Sequence, residues 1–141
     1  MTTELFLDAV FAIALSSPSD QYHSRARALS AQMKRASHRL VTTRAVLLEI
    51  ADALSRPRDR QAAVELLSAL EEDPTVEIVP LSEGLFSRGL ELYAQHADKG
   101  WGLTDCVSFV VMRERGMTEA LTCDSHFRQA GFRTLLDPEG S

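Results

Sequence analysis

Four acids stand apart in surroundings where acids are costly. Asp8 is the only polar side chain between Leu5 and Leu15. An ionised carboxylate in such a run must be paired or must bind a metal. Glu49 is the only charge in Ala45-Val46-Leu47-Leu48-Glu49-Ile50-Ala51, and Val46, Ile50 and Ala53 share its helical face. Asp105 opens the apolar stretch Cys106-Val107-Ser108-Phe109-Val110-Val111-Met112, and Asp124 comes two residues after Thr122 at the end of Glu119-Ala120-Leu121-Thr122. Each has a local explanation. Asp8 can cap a helix, Glu49 can reach to water from a stripe edge, and Asp105 suits the positive end of a helix dipole. None of these explains why all four share one kind of setting.

The elements around the acids alternate. Leu5-Phe6-Leu7 reads as a buried strand that Asp8 ends, and the apolar run continues as a helix to Leu15. After Ser16-Ser17-Pro18-Ser19, a helix is expected over 21–37, capped by Ser19 or Asp20, with Tyr22, Ala26, Leu29 and Met33 on one face. A strand over 39–42 leads into a helix over 44–55 that carries Glu49. The break at Arg56-Pro57-Arg58 precedes a helix over 59–72, a strand over 76–79 and a helix from Ser82 to about His96. The helix bearing Asp105 has Thr104 as its expected N-cap. It buries Cys106, Phe109, Val110 and Met112 and ends near Gly116. A strand over 119–122, a short helix over 125–130 and a last strand over 132–136 complete one domain over residues 1–141.

Alternation of this kind gives an α/β fold with a parallel sheet covered on both faces. Ligands of such sheets bind beyond the carboxyl ends of the strands. Asp8 and Asp124 follow strands directly, and Glu49 and Asp105 sit at or near the starts of helices, so all four can converge on one rim. No arginine lies within three residues of Asp8, Asp105 or Asp124 in sequence. Divalent cations are then the economical counter-charge, and an all-oxygen donor set suits Mg²⁺ or Mn²⁺. Other chemistries lack their residues. There is no G-x-G-x-x-G, no G-x-x-x-x-G-K-[ST], no G-x-S-x-G and no H-E-x-x-H, and Cys106 and Cys123 do not have zinc spacing. A phosphoacceptor domain needs an acidic pair after its first strand, where this chain has Asp8-Ala9-Val10.

The chain has 45% hydrophobic and 25% charged residues, with a net charge of −5. No apolar run is long enough to span a bilayer, the amino terminus lacks a basic leader, and two cysteines make no disulfide framework. These features point to reduced thiols and a cytoplasmic protein. Residues 22–60 carry nine Lys and Arg against three acids, while the rest has six against 17. That asymmetry reads either as a solvated pair of helices or as a face attractive to a polyanion, which Arg25, Lys34, Arg35, Arg39 and Arg44 would form.

Phe6-Leu7-Asp8, Glu49, Leu103-Thr104-Asp105-Cys106-Val107-Ser108-Phe109 and Leu121-Thr122-Cys123-Asp124-Ser125-His126-Phe127 together resemble a PIN domain, along the whole chain. The likeness is closest to small proteins related to VapC-type toxins. It implies a three-layer α/β/α sandwich, Mg²⁺- or Mn²⁺-dependent cleavage of RNA, a homodimer, and often a cognate antitoxin. It maps the acidic quartet onto Asp8, Glu49, Asp105 and Asp124, with Thr104 and Ser108 as supporting or substrate contacts. Where the family has a hydroxyl or amide residue in the two positions after the first Asp, this chain has Ala9 and Val10. That departure motivates an alternative, an inactive PIN scaffold that binds RNA or a protein partner. A DNA-directed nuclease is a third reading.

Overall fold

The computed structural model describes residues 3–137. Its centre is β1 (Glu4–Leu7), whose Leu5, Phe6 and Leu7 are almost wholly buried. β2 (Arg39–Thr43) and β3 (Val76–Val79) extend the sheet on one side, and β4 (Glu119–Leu121) and β5 (Arg133–Thr134) on the other. The order is β3-β2-β1-β4-β5 and every pairing is parallel. The chain builds outward from β1 to β3, then crosses back to place β4 on the free side of β1. The strand order therefore reverses between β1 and β4, which opens a crevice at the carboxyl end of the sheet.

Successive residues of β1 point to opposite faces. Leu7 faces a cleft lined also by Phe11, Met33 and Leu70, from α1 (Ala9–Ser16), α2 (His23–Arg35) and α4 (Arg60–Glu72). Phe6 packs on Phe127 of α7 (Ser125–Gln129), which meets Phe109 of α6 (Leu103–Glu114) edge-on at 5.0 Å between ring centroids. Helices thus cover both faces, as the alternation requires. α3 (Arg44–Ala53) follows β2, and a short 3₁₀ turn at Pro57–Asp59 precedes α4. α5 (Glu83–Gln95) lies against α6 so closely that a Cβ at Gly89 would stand 2.7 Å from Val107 Cγ2.

The strands and helices follow the sequence reading closely, with three local corrections. α2 starts at His23, not at residue 21, because the Asp20 carboxylate takes the Tyr22 N–H (2.8 Å) in a turn before the helix. α6 starts at Leu103, with Gly102 rather than Thr104 as its N-cap. Gly102 has no side chain to cap with, and the Asp105 carboxylate reaches back to accept the Gly102 N–H (3.1 Å). β5 keeps only two paired residues of the expected five, although Leu135 and Leu136 still donate to Ala120 and Thr122 carbonyls. No helix among the described residues is long and apolar enough to cross a membrane.

Candidate metal centre

The register of β1 on β4 builds the centre. Leu7 pairs with Leu121, so Asp8 and Thr122 leave the sheet side by side. The Thr122 hydroxyl donates to Asp8 Oδ2 at 2.7 Å and accepts the Asp124 N–H at 3.1 Å, fixing the two strand-end acids relative to each other. Asp124 then caps α7 by accepting the His126 N–H at 2.9 Å. The cap brings the His126 ring over the start of α6, where Nδ1 lies 3.0 Å from Asp105 Oδ2 and 3.5 Å from Asp124 Oδ1. Glu49 stands half-buried on α3, beside Asp52, Leu103 and Thr104 of a shallow pocket.

The four acids lie close enough to feel one another's charge. Burial pushes the Asp8 carboxyl up to about 7, with the Thr122 hydrogen bond opposing and the Glu49 and Asp105 charges adding to the rise. Glu49 is raised by burial first, then by Asp105, Asp124 and Asp52. Asp105 is raised by burial, partly offset by the Gly102 N–H and by His126. Among the described residues no Lys or Arg is ion-paired to any of the four; the imidazole of His126 stands beside Asp105 and Asp124. These are hard oxygen donors short of positive charge, a set that fits Mg²⁺ or Mn²⁺; among the described residues the donor atoms that come within 4.8 Å of one another are those of Asp105, Asp124 and His126, with Asp8 and Glu49 farther out.

Other expected residues are placed differently. Ser108 is buried and its hydroxyl donates to the Thr104 carbonyl (3.0 Å) within α6. Thr104 is half-buried near Glu49. The basic residues do not form one face at the acids. Arg39 begins β2 and pairs with Glu4, at the amino end of the sheet, and Lys34 and Arg35 lie in the last turn of α2 leading into it. A strand of this length separates them from the acidic rim by about 13 Å along its axis. Arg44 starts α3 at the right end, but its guanidinium is engaged by Glu71 at 2.8 Å. Arg25 donates to the Leu135 carbonyl at 3.2 Å. Two residues without a role in the sequence reading, Thr122 and His126, do touch the acids. Their only trace in the sequence is their position in Leu121-Thr122-Cys123-Asp124-Ser125-His126, around a strand end that already carries an acid.

Known proteins share this fold. VapC20 of Mycobacterium tuberculosis, a 23S rRNA-specific endonuclease, is 29% identical over 128 residues, covering 91% of this chain and 95% of the relative. Its crystal structure, that of a toxin cleaving the sarcin-ricin loop, superimposes with a TM-score of 0.81 at 28% identity, over 91% of this chain and 95% of that one. VapBC2 of Rickettsia felis, solved bound to a DNA fragment from the promoter, shares the fold at a TM-score of 0.65 and 14% identity, over 94% of this chain and 97% of that one. The PIN domain profile matches residues 5–133, from β1 through the first residue of β5. With the parallel sheet and the acidic rim both inside that match, the chain belongs to the PIN domain family.

Proposed function

We propose that the protein is a metal-dependent endoribonuclease, the toxin of a toxin–antitoxin pair, in which Asp8, Glu49, Asp105 and Asp124 hold one or two Mg²⁺ or Mn²⁺ ions. The observation that carries this reading is the convergence of four carboxylates with no Lys or Arg paired to them. A bound divalent ion supplies an activated water and screens the charge that grows on the phosphate. The protein's own part is to hold the donors rigid before the ion arrives. Thr122 locks Asp8 to the Asp124 backbone, the Gly102 N–H fixes one oxygen of Asp105, and the cap on α7 fixes Asp124. Attack by water rather than by the ribose 2′-hydroxyl leaves a 5′-phosphate and a 3′-hydroxyl.

The scaffold alternative rested on the missing polar side chain at Ala9 or Val10. Thr122 delivers a hydroxyl to Asp8 from the neighbouring strand, which supports the active enzyme over the scaffold. The 23S rRNA cleaved by the relative is the first substrate to assay, and the reading places the enzyme in the cytoplasm with RNA. The apolar cleft of about 500 Å³ between α1, α2 and α4, lined by Phe11, Leu15, Met33, Leu66 and Leu70, suits an apolar helix of an antitoxin. Leu48, Phe86, Leu90 and Tyr93 stay exposed on α3 and α5 and form the face a second copy would cover in a homodimer. The test of function is cleavage of RNA, with single-stranded DNA in parallel. Activity should vanish in excess EDTA, return with Mn²⁺ or Mg²⁺, and be lost in Asp105→Asn. Cleavage that survives EDTA, or an Asp105→Asn variant as active as the wild type, overturns the reading.

A further inference from the structure

His126 is not one of the four acids, yet its ring stands among them. The backbone aims it there. Its N–H is bound by the Asp124 cap, which sets the ring in the first turn of α7 with Nδ1 3.0 Å from Asp105 Oδ2 and 3.5 Å from Asp124 Oδ1. The opposite ring nitrogen, Nε2, faces the loop before α6, where a Cβ on Gly100 would come within 3.7 Å. At these distances Nδ1 either carries a hydrogen that it donates to Asp105 or turns its lone pair to a cation held between the ring and the carboxylates. A small ion with ligands at about 2.1–2.2 Å holds adjacent octahedral donors about 3.0 Å apart, the separation seen between Nδ1 and Asp105. One donor atom from each of Asp105, Asp124 and His126 lies within 4.8 Å of the others.

Building on the nuclease reading, we infer that His126 Nδ1 is itself a ligand of the cation, completing a mixed oxygen and nitrogen set with Asp105 and Asp124. The ring then carries its proton on Nε2, turned toward the Gly100 loop and water, as metal-bound imidazoles do. A nitrogen donor changes the choice of metal. Mg²⁺ strongly prefers oxygen, whereas imidazole suits transition ions, so the centre favours Mn²⁺ over Mg²⁺.

The test uses the full chain, stripped with EDTA and loaded with MnCl₂. Pulsed electron paramagnetic resonance should detect a ¹⁴N coupling from a directly bound imidazole in the wild type, absent in His126→Gln and His126→Asn. Calorimetry should show Mn²⁺ affinity falling at least about tenfold in both variants and Mg²⁺ affinity falling less than about threefold, because only the ion that favours imidazole loses a preferred donor. The Asn amide can still donate a hydrogen bond to Asp105, so a residue that merely orients Asp105 would be rescued by His126→Asn. Mn²⁺ bound without nitrogen coupling, equal losses for the two metals, or rescue by Asn each overturns the inference while leaving the nuclease reading intact. A wild type that binds neither metal overturns both. If the variants fail to fold, the wild-type spectrum decides alone.

Discussion

The acidic centre should make the metal-free protein less stable as the pH rises, and Asp8→Asn should remove much of that loss. Asp8 is only 3% exposed, and burial lifts its carboxyl from 3.8 to about 7. The unfolded chain releases this proton near its ordinary value while the folded chain holds it to about 7. The stabilising effect of the protonated form is therefore complete below about pH 4 and is lost as the pH rises through about 7. A difference of that size corresponds to about 4 kcal/mol. Asn cannot ionise, is close to Asp in shape, and offers a carbonyl oxygen to the Thr122 hydroxyl that now bonds Oδ2 at 2.7 Å. The measurement is urea unfolding of both proteins in EDTA from pH 4.5 to 8.5. Groups common to both proteins cancel in the comparison, so Asp8→Asn should gain on the wild type as the pH rises, by up to about 4 kcal/mol at pH 8. Glu49 and Asp105, also raised, push the wild type the same way. Saturating Mn²⁺ should restore the wild type at pH 8, since a ligand bound only by the folded state stabilises it, and should help Asp8→Asn much less. An Asp8→Asn variant no more stable than wild type at pH 8 in EDTA would show that Asp8 is not held in an uncompensated pocket, and the argument for a cation would fall with it.

Thr122→Val should cost about 1–3 kcal/mol by stranding the Asp124 N–H and the Asp8 carboxylate, and should weaken Mn²⁺ binding about 10–100-fold by calorimetry; Thr122→Ser should keep both. Unchanged metal affinity in Thr122→Val would mean the hydroxyl does not organise the centre. The double variant Lys34→Glu, Arg39→Glu should cleave a short RNA with kcat/KM within about twofold of wild type at 0.15 M salt, because both residues lie more than a screening length from the acids. A steep loss would restore these residues as guides for the RNA.

What was legible in the sequence, and what was not, divides along one physical line. An apolar run stopped by a lone acid marks the end of a buried strand, and alternation with helices makes the strands parallel. Asp8 and Asp124 could therefore be assigned to one rim from local information alone. Charge counts along the chain carry no direction. The count over 22–60 suggests a single basic face, whereas α2 carries Lys34 and Arg35 to the far end of the sheet. The cap on α6 was misplaced for a related reason. A threonine looks like a cap in one dimension, but the extended backbone at Gly102 begins the helix earlier and Asp105 closes the turn by accepting the Gly102 N–H. The partners of the acids were least visible because they depend on strand order and register. Parallel strands alone would allow Asp8 and Asp124 to sit at opposite edges. They meet because β4 returns to the free side of β1, and because Leu7 lies opposite Leu121. A slip of one residue in that pairing would turn Thr122 to the other face of the sheet. Asp8 would then lose its buried hydroxyl, Asp124 its anchor and His126 its place above Asp105, with every residue of the two motifs unchanged.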